Sequence, residues 1–229
     1  MMKNFIGSLL HLSDPTLPIG GYTHSNGLET YVQQGLVKDR ESAMLFVHNM
    51  LTNNLLYNDA AFVKLAYEAA QSKNTSALFL LDDECAALKT AREIRQASQK
   101  LGVRLIKIFK RQVADEIINE YEKAIFEKKS EGHYCIVFGI YASLLNIPLY
   151  EALFAFLYNA AVGMVTNAVK LVPLGQLDGQ DILHDMQEVI ETVAGKTIEL
   201  DRNHVGLCNI GLDVRCMQHE QLYSRLYMS

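Results

Sequence analysis

Five side chains of metal-ligating type crowd together near the end of the sequence: His204, Cys208, Asp213, Cys216 and His219. Imidazole and thiolate together suit first-row transition metals. Their spacing matches no closed four-ligand pattern. The four cysteines, Cys85, Cys135, Cys208 and Cys216, contain no CxxC pair. Cys208 and Cys216 fit a core equally well, because free cysteine is among the most buried residue types. No tight metal site is expected from this cluster. His48, His133 and His184 stand singly on helical segments and read as ordinary polar positions.

A second cluster occupies residues 9–29, LLHLSDPTLPIGGYTHSNGLE. Pro15 and Pro18 disfavour helix at the residues before them, and Gly20 with Gly21 opens backbone angles closed to other residues. Tyr22, Thr23, His24, Ser25 and Asn26 then set hydrogen-bonding side chains side by side in one turn. Such a turn either satisfies its own main chain or offers a polar surface to a partner. Composition alone describes an elaborate loop entering a helix near Ser25, with Glu29 in the first turns near the positive dipole end.

Lys170 closes a nearly uncharged helical stretch, so its ammonium must reach water or a partner; a lone buried lysine tends to lose its proton. Tyr223, Ser224, Arg225, Leu226 and Tyr227 form a polar, aromatic tail. Arginine and tyrosine are common interface anchors, and a terminal tail of this make-up is expected to order on binding. The chain holds no GxxxxGK[ST] phosphate loop and no GxSxG or HExxH signature.

The elements that must position these residues are helical. Asp39 is placed to cap a helix carrying Met44, Val47, Leu51 and Leu55. Asn58 or Asp59 heads the next, and Thr75 and Ser76 precede a stripe of Leu78, Leu81, Cys85 and Leu88. Ala91, Ile94, Ala97 and Leu101 follow, with Gly102 as a C-terminal stop. Residues 103–109 are β-branched enough for a strand, but no second strand is evident, and a helix continuing through Leu105, Ile108 and Val113 is expected instead. Residues 128–132 form a polar break. Pro148 suits the first turn of a helix, 173–179 reads as a loop, and Ile182 to Val193 marks one amphipathic helix stopped by Gly195.

The chain has 229 residues, about half of them apolar, and a net charge of -5. It is globular in composition and offers no general attraction to nucleic acid or anionic membranes. A local basic patch is possible around Arg104, Lys107, Lys110 and Arg111. From Tyr134 to Val169 the only formal charge is Glu151, enough apolar length to span a bilayer. Asn146, Pro148, Asn159 and Asn167 interrupt it, so two buried core helices are expected rather than a membrane hairpin. The N-terminus carries Lys3 without a cleavable apolar region, and the unpaired cysteines read as reduced thiols; a cytoplasmic location follows. The fold expected is all-α, one domain over residues 1–229, with roughly eight to ten helices at mean lengths of about 11–12 residues.

The order of residues in SDPTLPIGGYTHSNGLE resembles the opening signature of the urease accessory protein UreF family, SPxLPxGxFSHSxGLE. His11 stands where the family often has glutamine, and Tyr22-Thr23 replaces an aromatic-serine pair. Two further blocks agree: GHYCIVFGIYASLLNIP followed by NAVKLVPLGQLDGQ, and the closing SRLYMS, similar to SRLFxS.

The resemblance implies a non-enzymatic adaptor that helps insert nickel into urease. It would bridge a D-type (also called H-type) accessory protein and a G-type GTPase, serve the urease apoprotein, and form a homodimer. Residues 1–38 would be the signature loop and first helix, and 203–229 the partner-docking segment. Partner-binding candidates are Tyr22, His24, Ser25, Glu29, Lys170 and Tyr223 to Tyr227, with Glu29 and Lys170 close together or sharing one surface. No cofactor would be held tightly; nickel would be handled transiently, through weak contacts at His24, Cys208, Cys216 or His219. Two alternatives stand beside this: a regulator of the GTPase, with Arg225 as an activating finger or Glu29 involved, and a helical enzyme with a buried polar pocket.

Overall fold

The computed structural model describes residues 5–229, so Lys3 and the first residues of the expected 1–38 and 1–229 spans lie outside it. Twelve α-helices and no strand occur among the described residues. The all-α expectation holds, and the count exceeds the expected eight to ten. The excess comes from short helices that mean length does not anticipate, α1 (Ile6–Leu12) and α2 (Leu28–Gln33), and from one helix split in two.

Local chemistry explains most boundaries. Asp39 caps α3 (Arg40–Asn49), accepting from Ser42 N–H at 2.9 Å, which satisfies one of the orphan amides of the first turn. A π-helical segment, Met50–Leu55, leads to α4 (Asp59–Gln71). Asn74, one residue before the expected pair, caps α5 (Thr75–Leu88) through Ala77 N–H at 3.0 Å.

Helix α6 (Arg92–Phe109) runs straight through Gly102. Gly102 is therefore not a stop: a Cβ there would collide with the Gly132 carbonyl oxygen, and its absence lets α6 lie against the loop 127–133. That loop follows α7 (Glu116–Phe126) and is gathered by one buried carboxylate. Asp82 accepts from Gly132 N–H (3.1 Å), His133 N–H (3.0 Å), Glu131 N–H and the Tyr121 hydroxyl (2.8 Å).

The two apolar blocks become α8 (Tyr134–Leu144) and α9 (Leu149–Leu171), the latter opening just after Pro148. Residues 135–142 of α8 are all buried, against α4 and α6. Gly139 sets the approach to α4, since a Cβ would strike the Val63 carbonyl oxygen. Helix α9 is long and apolar enough to cross a membrane, and 56% of its most apolar window is buried within the protein. Its inner face meets α4, α10 (Gln176–Asp185) and α11 (Gln187–Glu199).

The loop expected over 173–179 ends early, because α10 begins at Gln176. The single helix expected over 182–193 breaks at buried Met186, which lets both halves pack on α9, and α11 continues past Gly195. Helix α12 (Ile210–His219) closes the fold against α2 and α6.

Candidate functional site

Glu29 stands in the first turn of α2, as its position after the glycine-rich turn implied, and is only 4% exposed. Gly27, with φ +84°, makes the entry turn, and the Cys216 sulfur packs 2.8 Å from where a Cβ would sit. A buried carboxylate needs partners, and here the C-terminal segment supplies them. Leu226 N–H donates to Oε1 at 2.7 Å, Tyr227 N–H to Oε2 at 3.1 Å, and His219 Nε2 lies 3.1 Å from Oε2. The other ring nitrogen of His219 is 2.7 Å from Glu93 Oε2, and Glu93 Oε1 takes the Arg225 guanidinium at 2.7 Å. A chain of polar contacts therefore runs Glu29–His219–Glu93–Arg225, joining α2, α12, α6 and the tail.

The signature turn and the tail also share main-chain bonds. Ser25 and Asn26 N–H both donate to the Ser229 main-chain oxygen, and Met228 N–H donates to the Thr23 carbonyl at 2.9 Å. His24 Nδ1 lies 2.7 Å from the Ser229 hydroxyl, while Asn167 of α9 donates to the His24 carbonyl at 2.8 Å. Burial first, then the nearby Lys100 and Arg104 charges, push the His24 imidazole below its usual range. Gln33 holds the Ser224 carbonyl at 3.0 Å, and Arg215 stacks over the Tyr31 ring at 4.6 Å. The tail is thus ordered within this chain, contrary to the expectation that it orders only on binding.

Placement of the expected residues is uneven. His24, Ser25, Glu29 and Tyr227 are buried and hold the tail–loop junction; Tyr22, Ser224, Leu226 and Tyr223 are exposed, the last fully. Lys170 is exposed at the end of α9. Glu29 and Lys170, expected close together or on one surface, form no ion pair: Glu29 is buried and takes His219 and the tail amides, while Lys170 faces solvent. Glu93, Asn167 and Arg104 also belong to the junction, a place the sequence did not assign to them. Arg104 donates to the Ile19 carbonyl at 2.8 Å and lies where a Cβ on Gly20 would fall. Nothing in the spacing of these three marked them, since each meets the junction from a distant part of the chain.

The metal-type side chains do not converge. Among the described residues no three His, Cys, Asp or Glu side chains are grouped to hold a metal ion. His219 is engaged by two glutamates, Cys208 faces Asp213 at 3.6 Å, and burial pushes the Cys216 thiol up to about 12. His24, Cys208 and Cys216 nonetheless border one common space, a cavity of about 380 Å3 that also meets Cys85, Asn159 and Lys89. Burial opposes the Lys89 charge, and Asp59, 2.8 Å away, overcomes it and holds the ammonium above its usual range. The pocket that an enzymatic reading calls for is present in outline; its walls are chiefly apolar, and Cys208 and Asp213, 3.6 Å apart, both border it.

A family model described as UreF matches residues 37–187 of this chain. The urease accessory protein UreF of Actinobacillus pleuropneumoniae serotype 5b (strain L20) is 50% identical over 224 residues, covering 98% of this chain and 99% of that protein. The protein of the same name from Haemophilus influenzae (strain PittGG) is 47% identical, over 98% of this chain and 95% of its own. That of Bacillus sp. (strain TB-90) is 35% identical, over 99% of this chain and 100% of its own.

Proposed function

Because the chain belongs to the UreF family of urease accessory proteins, we propose that it acts as a non-enzymatic adaptor in nickel insertion into urease, bridging a D/H-type accessory protein and a G-type GTPase. The observation that carries this reading is the junction between signature turn and tail. It fixes the main chain of residues 224–229 while Tyr223, Leu226 and Met228 project outward. A pre-ordered segment presenting aromatic and aliphatic groups loses less entropy on association than a free tail. The alternative, in which Arg225 activates the GTPase as a finger, is less well supported, since its guanidinium is engaged by Glu93.

Transient handling of nickel fits the cavity bordered by His24, Cys208 and Cys216. The Cys216 thiol, held protonated by burial, is a weak ligand, suited to passage rather than storage. A homodimer fits the outer side of α9, where Tyr150, Phe154 and Tyr158 recur every fourth residue, with both tyrosines exposed. A cytoplasmic setting fits the four unpaired thiols.

Pull-down of the D/H-type and G-type partners by the full chain, and by a chain lacking residues 220–229, tests the adaptor reading. Loss of at least one partner on truncation is expected; retention of both removes the tail from the docking surface. An unchanged rate of GTP turnover with and without this chain in the complex would remove the regulatory alternative.

A further inference from the structure

Helix α6 presents Lys100, Arg104 and Lys107 at four- and three-residue steps, and Arg111 follows in the turn just beyond its end; all four are exposed. At about 100° per residue the three helical positions fall within about 60° of one another on the helix surface. The run from Lys100 to Arg111 covers about 16 Å, the reach of about five residues of extended chain.

The surrounding charge makes this arrangement unusual. Acidic residues outnumber basic ones, 26 to 21, and several cations elsewhere pair with them: Arg40, Arg92, Lys110, Lys123, Lys129 and Arg202 are ion-paired on the surface. Among the described residues no carboxylate pairs with Lys100, Lys107 or Arg111. Arg104 spends one nitrogen on the Ile19 carbonyl and otherwise adds to the same field. Four like charges in one row repel one another, a cost that an external anion relieves.

We propose that this basic row on α6 is a docking surface for an acidic segment of a partner protein. It goes beyond the tail-centred adaptor reading and does not depend on it. Charge complementarity sets the occupant. A membrane surface would call for large apolar side chains beside the cations, and none of the exposed large hydrophobics lies on α6. A nucleic acid would call for exposed aromatics on which bases stack, which α6 also lacks. Carboxylates spaced along a short extended peptide match the row without either requirement. The surface adjoins the signature turn, because Arg104 ties α6 to Ile19.

The test compares the full-length chain with the triple variant Lys100→Gln, Lys107→Gln, Arg111→Gln; Arg104 is kept because it holds the turn. The probe is fluorescein-labelled decaglutamate, followed by fluorescence anisotropy at low and raised salt. Binding that weakens with salt is expected, with the triple variant about tenfold weaker, each exposed charge contributing about a factor of two. The single variants Lys100→Gln and Lys107→Gln, each about twofold weaker, keep the test decisive if the triple variant folds poorly. A control triple variant at Lys123, Lys128 and Lys129 should bind as the parent does. The proposal is overturned if the parent does not bind decaglutamate, or if the α6 variants bind it undiminished. Preferential binding of phosphatidylserine vesicles or of a single-stranded oligonucleotide through the same residues also overturns it.

Discussion

Glu29 shows how much one side chain can organise. Its carboxylate accepts from two tail amides and faces His219, which in turn reaches Glu93. Replacing it by glutamine removes the buried charge and leaves at least one of these partners unmatched. A loss of about 2–4 kcal/mol in urea unfolding is expected, with faster proteolysis of the tail. A double-mutant cycle of Glu29→Gln with His219→Gln should show coupling above about 1 kcal/mol, while a cycle of Glu29→Gln with Lys170→Gln should show less than about 0.5 kcal/mol. Equal coupling in both cycles would contradict the geometry. Gly20 is a second sensitive position: its φ of +89° and the Arg104 guanidinium at its Cβ position both oppose a side chain. Gly20→Ala should cost about 1–3 kcal/mol, read from the same denaturation curves.

At the scale of elements, the close approach of α6 to the loop 127–133 and of α8 to α4 depends on glycines inside helices. Helix propensity alone predicts that Gly102→Ala and Gly139→Ala stabilise the protein by about 1 kcal/mol. Packing predicts the opposite, because the added methyl would meet main-chain carbonyls of Gly132 and Val63, which cannot swing aside as a flexible side chain would. Destabilisation by about 1–3 kcal/mol is expected for each, seen as a lower urea midpoint. A raised midpoint would mean that the helices can separate without loss. Propensity misled the reading of Gly102 as a stop for the same reason: a glycine ends a helix or lets another chain segment touch it, and the local sequence is identical in the two cases.

For the whole molecule, burial sets the direction of its response to acid. His24 and His133 are both pushed below their usual range, chiefly by burial. The unfolded chain therefore takes up protons at these positions at a higher pH than the folded one. Stability is complete above the unfolded value near 6.5, falls as the pH drops through it, and levels off below the folded values. Urea midpoints measured between pH 8 and pH 5 should follow that course, and His24→Gln should shrink the fall. A midpoint that rises on acidification would contradict the burial of these rings. Because His24 bonds Ser229, the tail is expected to loosen in the same window, detectable as increased proteolysis.

The all-helical class, the Asp39 cap, the buried character of α8 and the family were legible in the sequence alone. Each rests on local pattern: apolar spacing, a side chain within reach of its own helix, or residue order in three blocks. The junction was not legible in that way. Glu29 and Arg225 stand out in the sequence, yet their link runs through His219 and Glu93, and Lys170, expected near Glu29 or on a surface shared with it, is exposed while Glu29 is buried. The order of the tail likewise depends on amides that meet a carboxylate from the opposite end of the chain. Local spacing determines which residues form helices, because a helix satisfies its main chain within four residues. Which buried charge meets which partner is decided only when the helices pack, because a carboxylate removed from water takes whatever donors the fold brings within reach.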